Sequence, residues 1–331
     1  MNPSKRDRAL FWIALGFLSS TMAEVISSSH PQGVFDLWGV LAIFPLYSLH
    51  ILVLSGFLFR FGLNWQRLFL FGTLFGMYEG YITKVFWNPV WSAELEFLGV
   101  YWLQFFSLVL FWHPFFAFIL PLLIAETLFT NSNFVLNTLK DMPLLGRIKR
   151  RVIFIFPLIF GLYQSSNTPA GTSLFFGILN LAAITFFYRI YRSQRRQYSL
   201  PELLPRGKEL RILLSVLVLF YAFWTFAFNF EAIGGLIFPI LVWSFYLLFF
   251  ILILWNRKMT KIRHEEKPGI SIFYANFMVY LASAIIFPAL KPAAISIAFL
   301  LVGTAYGISL LISLLFHCSF QEKQHFVDGD G

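Results

Sequence analysis

The chain has one cysteine, Cys318, among 331 residues. That excludes an internal disulfide and a cysteine-rich metal site. Cys318 closes the last apolar segment, where a small buried residue fits better than a reactive thiol. Charge is scarce as well. Only 12% of the residues are charged, against about 25% in an average soluble domain. No hydrophilic stretch is long enough to form a soluble domain of its own. What is abundant is apolar: 58% of the chain is hydrophobic, 20% is aromatic, and phenylalanine alone takes 43 positions. Mean hydropathy is +0.73. A soluble globule must present a polar exterior, so a soluble enzyme and a nucleic-acid-binding domain are both excluded. A disordered chain is excluded by the same apolar content.

A membrane helix needs about 20 mostly apolar residues. Candidate spans run over 9–28, 34–59, 66–87, 97–126, 152–164, 170–190, 210–229, 232–255, 270–289 and 293–317. The fifth is short and holds Pro157, which suits a tilted or re-entrant piece. The fourth carries Pro114 and Pro121, which predict a kink. Lys5, Arg6 and Arg8 precede the first apolar run, as in a signal peptide. That run is long, carries Glu24 and lacks a small-x-small cleavage site, so it reads as a retained helix.

Basic residues set the orientation. With the N-terminus in the cytoplasm and strict alternation, all but two of the 25 basic residues fall on the cytoplasmic side. The exceptions are Lys84 and Lys291. The same arrangement accounts for the net charge of +9 without nucleic acid, and lets the basic loops meet anionic lipid headgroups. The expected fold is therefore an all-α polytopic transmembrane bundle of about ten spans with both termini cytoplasmic. It forms one membrane domain over 1–331. Spans one to four and the polar residues lie in 1–127, and a basic, interfacial segment occupies 128–151. Spans five to ten fill 152–317, and 318–331 is a cytoplasmic tail. The expected location is a prokaryotic cytoplasmic membrane.

An ionisable side chain inside a bilayer costs about 2.5–3.5 kcal/mol on insertion scales, so each needs a partner or a function. The first four spans hold Glu24, Glu79, Lys84, His113 and Glu126, while the later spans hold almost none. Ser20, Glu24, Ser27 and Ser28 share a helical face, with His30 at the outer interface before Pro31. Glu79 and Thr83 share a face of the third span, and Gly80, Lys84 and Asn88 share the next. Gly76 and Gly80 form a small-xxx-small pair that permits close helix approach. Lys84 breaks the charge pattern near the outer end, so a carboxylate, Glu24 or Glu79, is its expected partner. His113, before Pro114, suits a proton shuttle or a core histidine bonded to a freed carbonyl. The candidate catalytic residues are Glu24, Glu79 and Lys84. Ser27, Ser28, His30, Tyr78, Thr83, Asn88 and His113 are candidate substrate contacts. No motif assigns a metal or a cofactor.

Two stretches carry a family resemblance. Ala23-Glu24-Val25-Ile26-Ser27 and Gly76-Met77-Tyr78-Glu79-Gly80 resemble an uncharacterised family of polytopic prokaryotic membrane proteins. That family has an Ala-Glu-hydrophobic-x-Ser motif in its first helix and a Glu-Gly motif in its third. The resemblance covers about the first hundred residues and implies Glu24 and Glu79 as a working pair. A fainter similarity is to CAAX-protease-like intramembrane peptidases, whose signature opens with paired glutamates and an arginine. Tyr78 replaces the first glutamate here, Thr83 replaces the arginine, and the family's later histidine motifs are not found.

Three functions fit these residues. The first is an intramembrane enzyme acting on a lipid or other small amphiphile, with Glu24 or Glu79 as general base and Lys84 as electrostatic stabiliser. The second is a proton-coupled secondary transporter. The third is a scaffold subunit in which the charges are structural locks. Membrane lipids are the expected partners in all three.

Overall fold

Each of the ten apolar segments contains a helix in the computed structural model, which describes residues 3–89, 95–147, 155–193, 198–233, 235, 237–256, 269–287 and 293–327. In chain order the helices are α1 (Lys5–Ser20), α2 (Gly39–Phe61), α3 (Trp65–Gly76), α4 (Trp102–Phe129), α5 (Phe134–Lys140), α6 (Ile155–Asn167), α7 (Ala170–Ser193), α8 (Leu200–Leu203), α9 (Lys208–Ala227), α10 (Ile237–Trp255), α11 (Ile270–Ile286) and α12 (Ala293–Val327). Five helical stretches are long and apolar enough to cross a membrane: α2, α4, Ala170–Tyr191 in α7, α9, and Ser296–Phe316 in α12. Pro239–Trp255 and Ile270–Ile286 are shorter apolar helices. The only strands among the described residues are Glu96–Phe97 and Val100–Tyr101, an antiparallel hairpin leading into α4. The fold is an all-α bundle.

Several stretches depart from regular α-helix, including a π-helical turn over Gly39–Ile43 that opens α2. α1 widens into a π-helical turn over Thr21–Val25. α4 is π-helical over Phe106–Ile119. Pro114 lies inside that stretch and has no N–H for an α-helical bond, so the helix widens where the sequence predicts a kink. α3 differs most from expectation. It ends at Gly76, tightens into a 3₁₀ turn over Met77–Gly80 and then leaves the helix. Glycine is a poor helix former, and Lys84 adopts a left-handed backbone conformation (φ +62°) that a continuous helix to residue 87 would forbid.

Small residues hold α4 from two sides. A Cβ at Gly72 would lie 2.6 Å from the Pro114 Cα, and one at Gly76 would lie 2.9 Å from the Val109 Cα. From α12, a Cβ at Gly307 would lie 2.1 Å from the Leu110 carbonyl oxygen. The close pair on α3 is thus Gly72 and Gly76, one turn earlier than the predicted Gly76 and Gly80. Gly80 instead faces Phe86 and Val242.

Backbone carbonyls at helix ends take up the buried cations. Lys84 is buried and donates to the carbonyl of Trp224 at 3.0 Å and to that of Phe228, both at the C-terminal end of α9. Arg67 donates to the Ile253 carbonyl at 3.0 Å and to the carbonyls of Phe61 and Gly62. Glu126 does the converse. Its carboxylate accepts from the amides of Phe134 (2.7 Å), Val135 (2.9 Å) and Leu136 (3.2 Å), the first turn of α5, and from Ser132 Oγ at 3.0 Å. At the start of the chain Arg8 pairs with Glu209 and donates to the Leu204 carbonyl, and Trp12 Nε1 donates to Leu203. These contacts tie α1 to the segment before α9. That segment contains the short helix α8. Its capping box pairs Ser199 with Glu202.

Candidate functional site

The off-α turns place the polar residues. Glu24 lies on the wide turn after α1, Tyr78 and Glu79 on the 3₁₀ turn after α3, and His113 within the wide stretch of α4. Tyr47 reaches between them from α2. Together they form one chain of contacts. Tyr47 Oη donates to Glu24 Oε1 at 2.5 Å. Tyr47 and Tyr78 hydroxyls are 3.0 Å apart. Tyr78 Oη is 2.9 Å from His113 Nε2, and that nitrogen is 3.3 Å from Glu79 Oε1. Exposed hydroxyls meet both carboxylates. Ser29 donates to Glu24 Oε2, and Thr83 donates to Glu79 Oε2.

Proton counting constrains this chain. His113 Nδ1 is 3.0 Å from the Leu108 carbonyl. A carbonyl can only accept, so Nδ1 carries a hydrogen and Nε2 of the neutral ring is bare. A bare nitrogen beside an ionised carboxylate would repel it. One proton shared by Glu79 and His113, as a carboxylic acid or as an imidazolium, would relieve that repulsion, and Tyr78 Oη can alternatively donate to Nε2. With that proton on or beside Nε2, Tyr78 is free to donate to Tyr47 and Tyr47 to Glu24. The order of donors then runs from Glu79 to Glu24 without a break. Glu79, His113, Tyr47 and Tyr78 are buried, while Glu24 is half-buried.

The remaining candidates lie elsewhere. Lys84 is held by the two α9 carbonyls described above and forms no ion pair with Glu24 or Glu79, because the turn from Gly80 to Lys84 carries its side chain to the end of α9. Ser27 bonds the Glu24 carbonyl and Ser29, and Ser28 lies 3.4 Å from the Gln164 carbonyl. His30 pairs with Asp36 at 3.0 Å. Asn88 is exposed. Lys291, Trp91 and Glu94 lie outside the described residues.

Sequence reasoning missed Tyr47, His50 and Tyr221. His113 is not the only histidine well inside a span: His50 lies in α2, three residues after Tyr47. It donates from Nδ1 to the Leu46 carbonyl at 2.6 Å, and its Nε2 accepts from Tyr221 at 3.0 Å. Its ring packs against Tyr78 at 5.4 Å between centroids. The signal was its position within the 34–59 apolar run. Tyr47 had no signal beyond sharing that run.

A cavity of about 430 Å³ lies beside the site, lined in part by Thr21, Val25, Phe111 and Phe116. The turns that carry Glu24 and His113 thus form part of its wall. No acidic, basic or histidine side chain lines it. Were its 430 Å³ an empty, closed void, the cost at roughly 24 cal/mol per Å³ would be on the order of 10 kcal/mol.

Apolar helices and a largely buried carboxylate–tyrosine–histidine chain define an all-α membrane protein with a polar centre. The chain belongs to a family described as an uncharacterized membrane protein family, which it matches over residues 13–323. A protein of Archaeoglobus fulgidus, described as an uncharacterized protein, is 48% identical over 312 residues, covering 93% of this chain and 98% of its own. No solved structure matches the chain.

Proposed function

We propose that the protein is an intramembrane enzyme whose acid–base centre is the Glu24–Tyr47–Tyr78–His113–Glu79 chain. Its substrate is a lipid or other amphiphile approaching from the outer half of a prokaryotic cell membrane. One carboxylate removes a proton from the substrate. The chain carries it to the other carboxylate, which returns it to the leaving group or product.

One observation carries this reading. The contacts run unbroken between two carboxylates, and each carboxylate is met by an exposed hydroxyl. Glu24 and Glu79 follow the C-terminal ends of α1 and α3. With the N-terminus inside, as the basic residues favour, both lie in the outer half. A path for protons across the membrane would have to continue inward. His50 offers no continuation, since both its nitrogens are engaged by Leu46 and Tyr221. This favours acid–base chemistry over proton-coupled transport. Lys84 has no part in the mechanism, because its ammonium is occupied at the end of α9.

The test is incubation of the purified protein with a mixed membrane-lipid extract, followed by mass spectrometry. A lipid whose mass changes with wild type, and is unchanged with Glu24→Gln and with Glu79→Gln, supports the reading. Equal conversion by wild type and both variants, or no conversion together with proton uptake into vesicles that Glu79→Gln abolishes, overturns it.

A further inference from the structure

The 430 Å³ cavity has a graded wall. Thr21, Phe116 and Ile119 are buried at its floor, and Leu120, Ile124 and Phe273 at its rim are half-buried. Its size falls within the usual range for one bound small molecule. Most of its few polar groups engage protein partners: Thr21 donates to Asn180 Oδ1 at 2.8 Å, and Asn180 and Asn276 donate to carbonyls one turn back in their own helices, which leaves Asn276 Oδ1 as a lone buried acceptor. Ordered water needs two to four polar partners, so the volume suits hydrocarbon. The lining residues of α4, α7 and α12 fall inside the long apolar stretches of those helices, at bilayer depth.

The cavity also has a polar end. Leu139 and Leu145 contribute to its wall from the segment after α4. Lys140 beside Leu139 is exposed. In sequence Arg147 follows Leu145, and Asp141 is the one acidic residue between Lys140 and Arg147. A juxtamembrane basic segment attracts anionic headgroups. A free fatty acid drawn fully inside would bring its carboxylate against a wall without a cation. A bilayer lipid leaves its headgroup outside.

We propose that this cavity is a binding site for one hydrocarbon chain of an anionic membrane phospholipid, whose headgroup lies at the Lys140 end. The site is separate from the Glu24–Glu79 chain and does not depend on the enzymatic reading. The full-length protein is reconstituted in phosphatidylcholine vesicles with a trace of phosphatidylglycerol bearing a diazirine on one acyl chain. It is then irradiated and the adducts are mapped by mass spectrometry.

Adducts concentrated at Phe160, Phe273 and Phe299 are expected. Unlabelled phosphatidylglycerol should displace them, and phosphatidylcholine should not. Filling the cavity with Ile124→Trp should lower labelling by roughly tenfold, the factor that matches an overpacking penalty. Glu79→Gln should leave it unchanged. Labelling that spreads evenly over outward residues such as Trp243, Phe226 and Val302, or that never saturates, overturns the proposal. So does equal displacement by phosphatidylcholine. The competition arm needs only wild type, so it decides the question even if Ile124→Trp fails to fold.

Discussion

Tyr78→Phe is the sharpest perturbation of the proposed relay. The substitution removes one oxygen and keeps the ring, so it opens no sizeable cavity between Phe75, His50 and His113. Two contacts disappear, the 3.0 Å one to Tyr47 and the 2.9 Å one to His113. Neither partner is stranded. Tyr47 still donates to Glu24, and His113 Nε2 still faces Glu79. At about 1 kcal/mol net for each neutral hydrogen bond, the stability cost is on the order of 2 kcal/mol. The effect on proton exchange is larger, because no hydroxyl remains to span Tyr47 and His113, whose rings are 6.4 Å apart. Infrared spectra of the carboxyl stretching region read this directly. The relay predicts that Glu24→Gln shifts the Glu79 carboxyl band in the wild-type background and leaves it unmoved in Tyr78→Phe, with Glu79→Gln assigning the band. Coupling that survives Tyr78→Phe refutes the relay. A stability loss well above that of two hydrogen bonds, with coupling intact, makes Tyr78 a packing residue instead.

Lys84→Met should cost on the order of 3 kcal/mol, because each hydrogen bond from a charged donor contributes about 1.5–3 kcal/mol. Unfolding measurements check the loss, and a shift of the carboxyl stretching bands would return Lys84 to the site. Glu126→Gln keeps the shape but replaces an ionised acceptor shared by three amides, so α5 should lose amide-exchange protection before the rest of the bundle. The Ser199 hydroxyl and backbone amide hold the Glu202 carboxyl below its ordinary value of 4.5. Its contribution is therefore full above that value and is lost as pH falls through the lower folded value. Trp12 fluorescence, reporting on the neighbouring Leu203 carbonyl, should change in that acid window, and Ser199→Ala should move the change to higher pH.

Much of the fold was legible because hydropathy and the placement of basic residues act along the whole chain. Every expected span contains a helix, and Glu24, Tyr78, Glu79 and His113 do converge. What was hidden follows from local geometry. In a regular helix the side-chain direction follows a 3.6-residue period. A wide turn adds a residue and a 3₁₀ turn removes part of one, so faces drawn through residues 20–28 and 76–88 lose their register. The sequence therefore paired Lys84 with a carboxylate that the turn after Gly80 carries it away from. Tyr47 and His50 escaped for a different reason. Each sits in an apolar run where a tyrosine or histidine is an ordinary packing residue, and only the neighbouring helices reveal what it touches.

The partners of the buried polar groups separate structural locks from groups able to pass a proton. Lys84, Arg67 and Glu126 are neutralised in part by backbone atoms at helix ends, where carbonyls or amides lack partners within their own helix. Those backbone carbonyls and amides do not titrate, so these contacts fix where α9 and α2 end and where α5 begins. Glu24, Glu79 and His113 are satisfied by one another through two phenols and by exposed hydroxyls. Every member of that set can both give and take a proton, or can do so in one of its ionisation states. A fold that needed only packing could bury Leu or Phe at these positions and avoid the desolvation cost of three ionisable groups. Their retention on three turns that all depart from α-helix fits a centre held in place for proton transfer, since such irregular turns often mark functional sites.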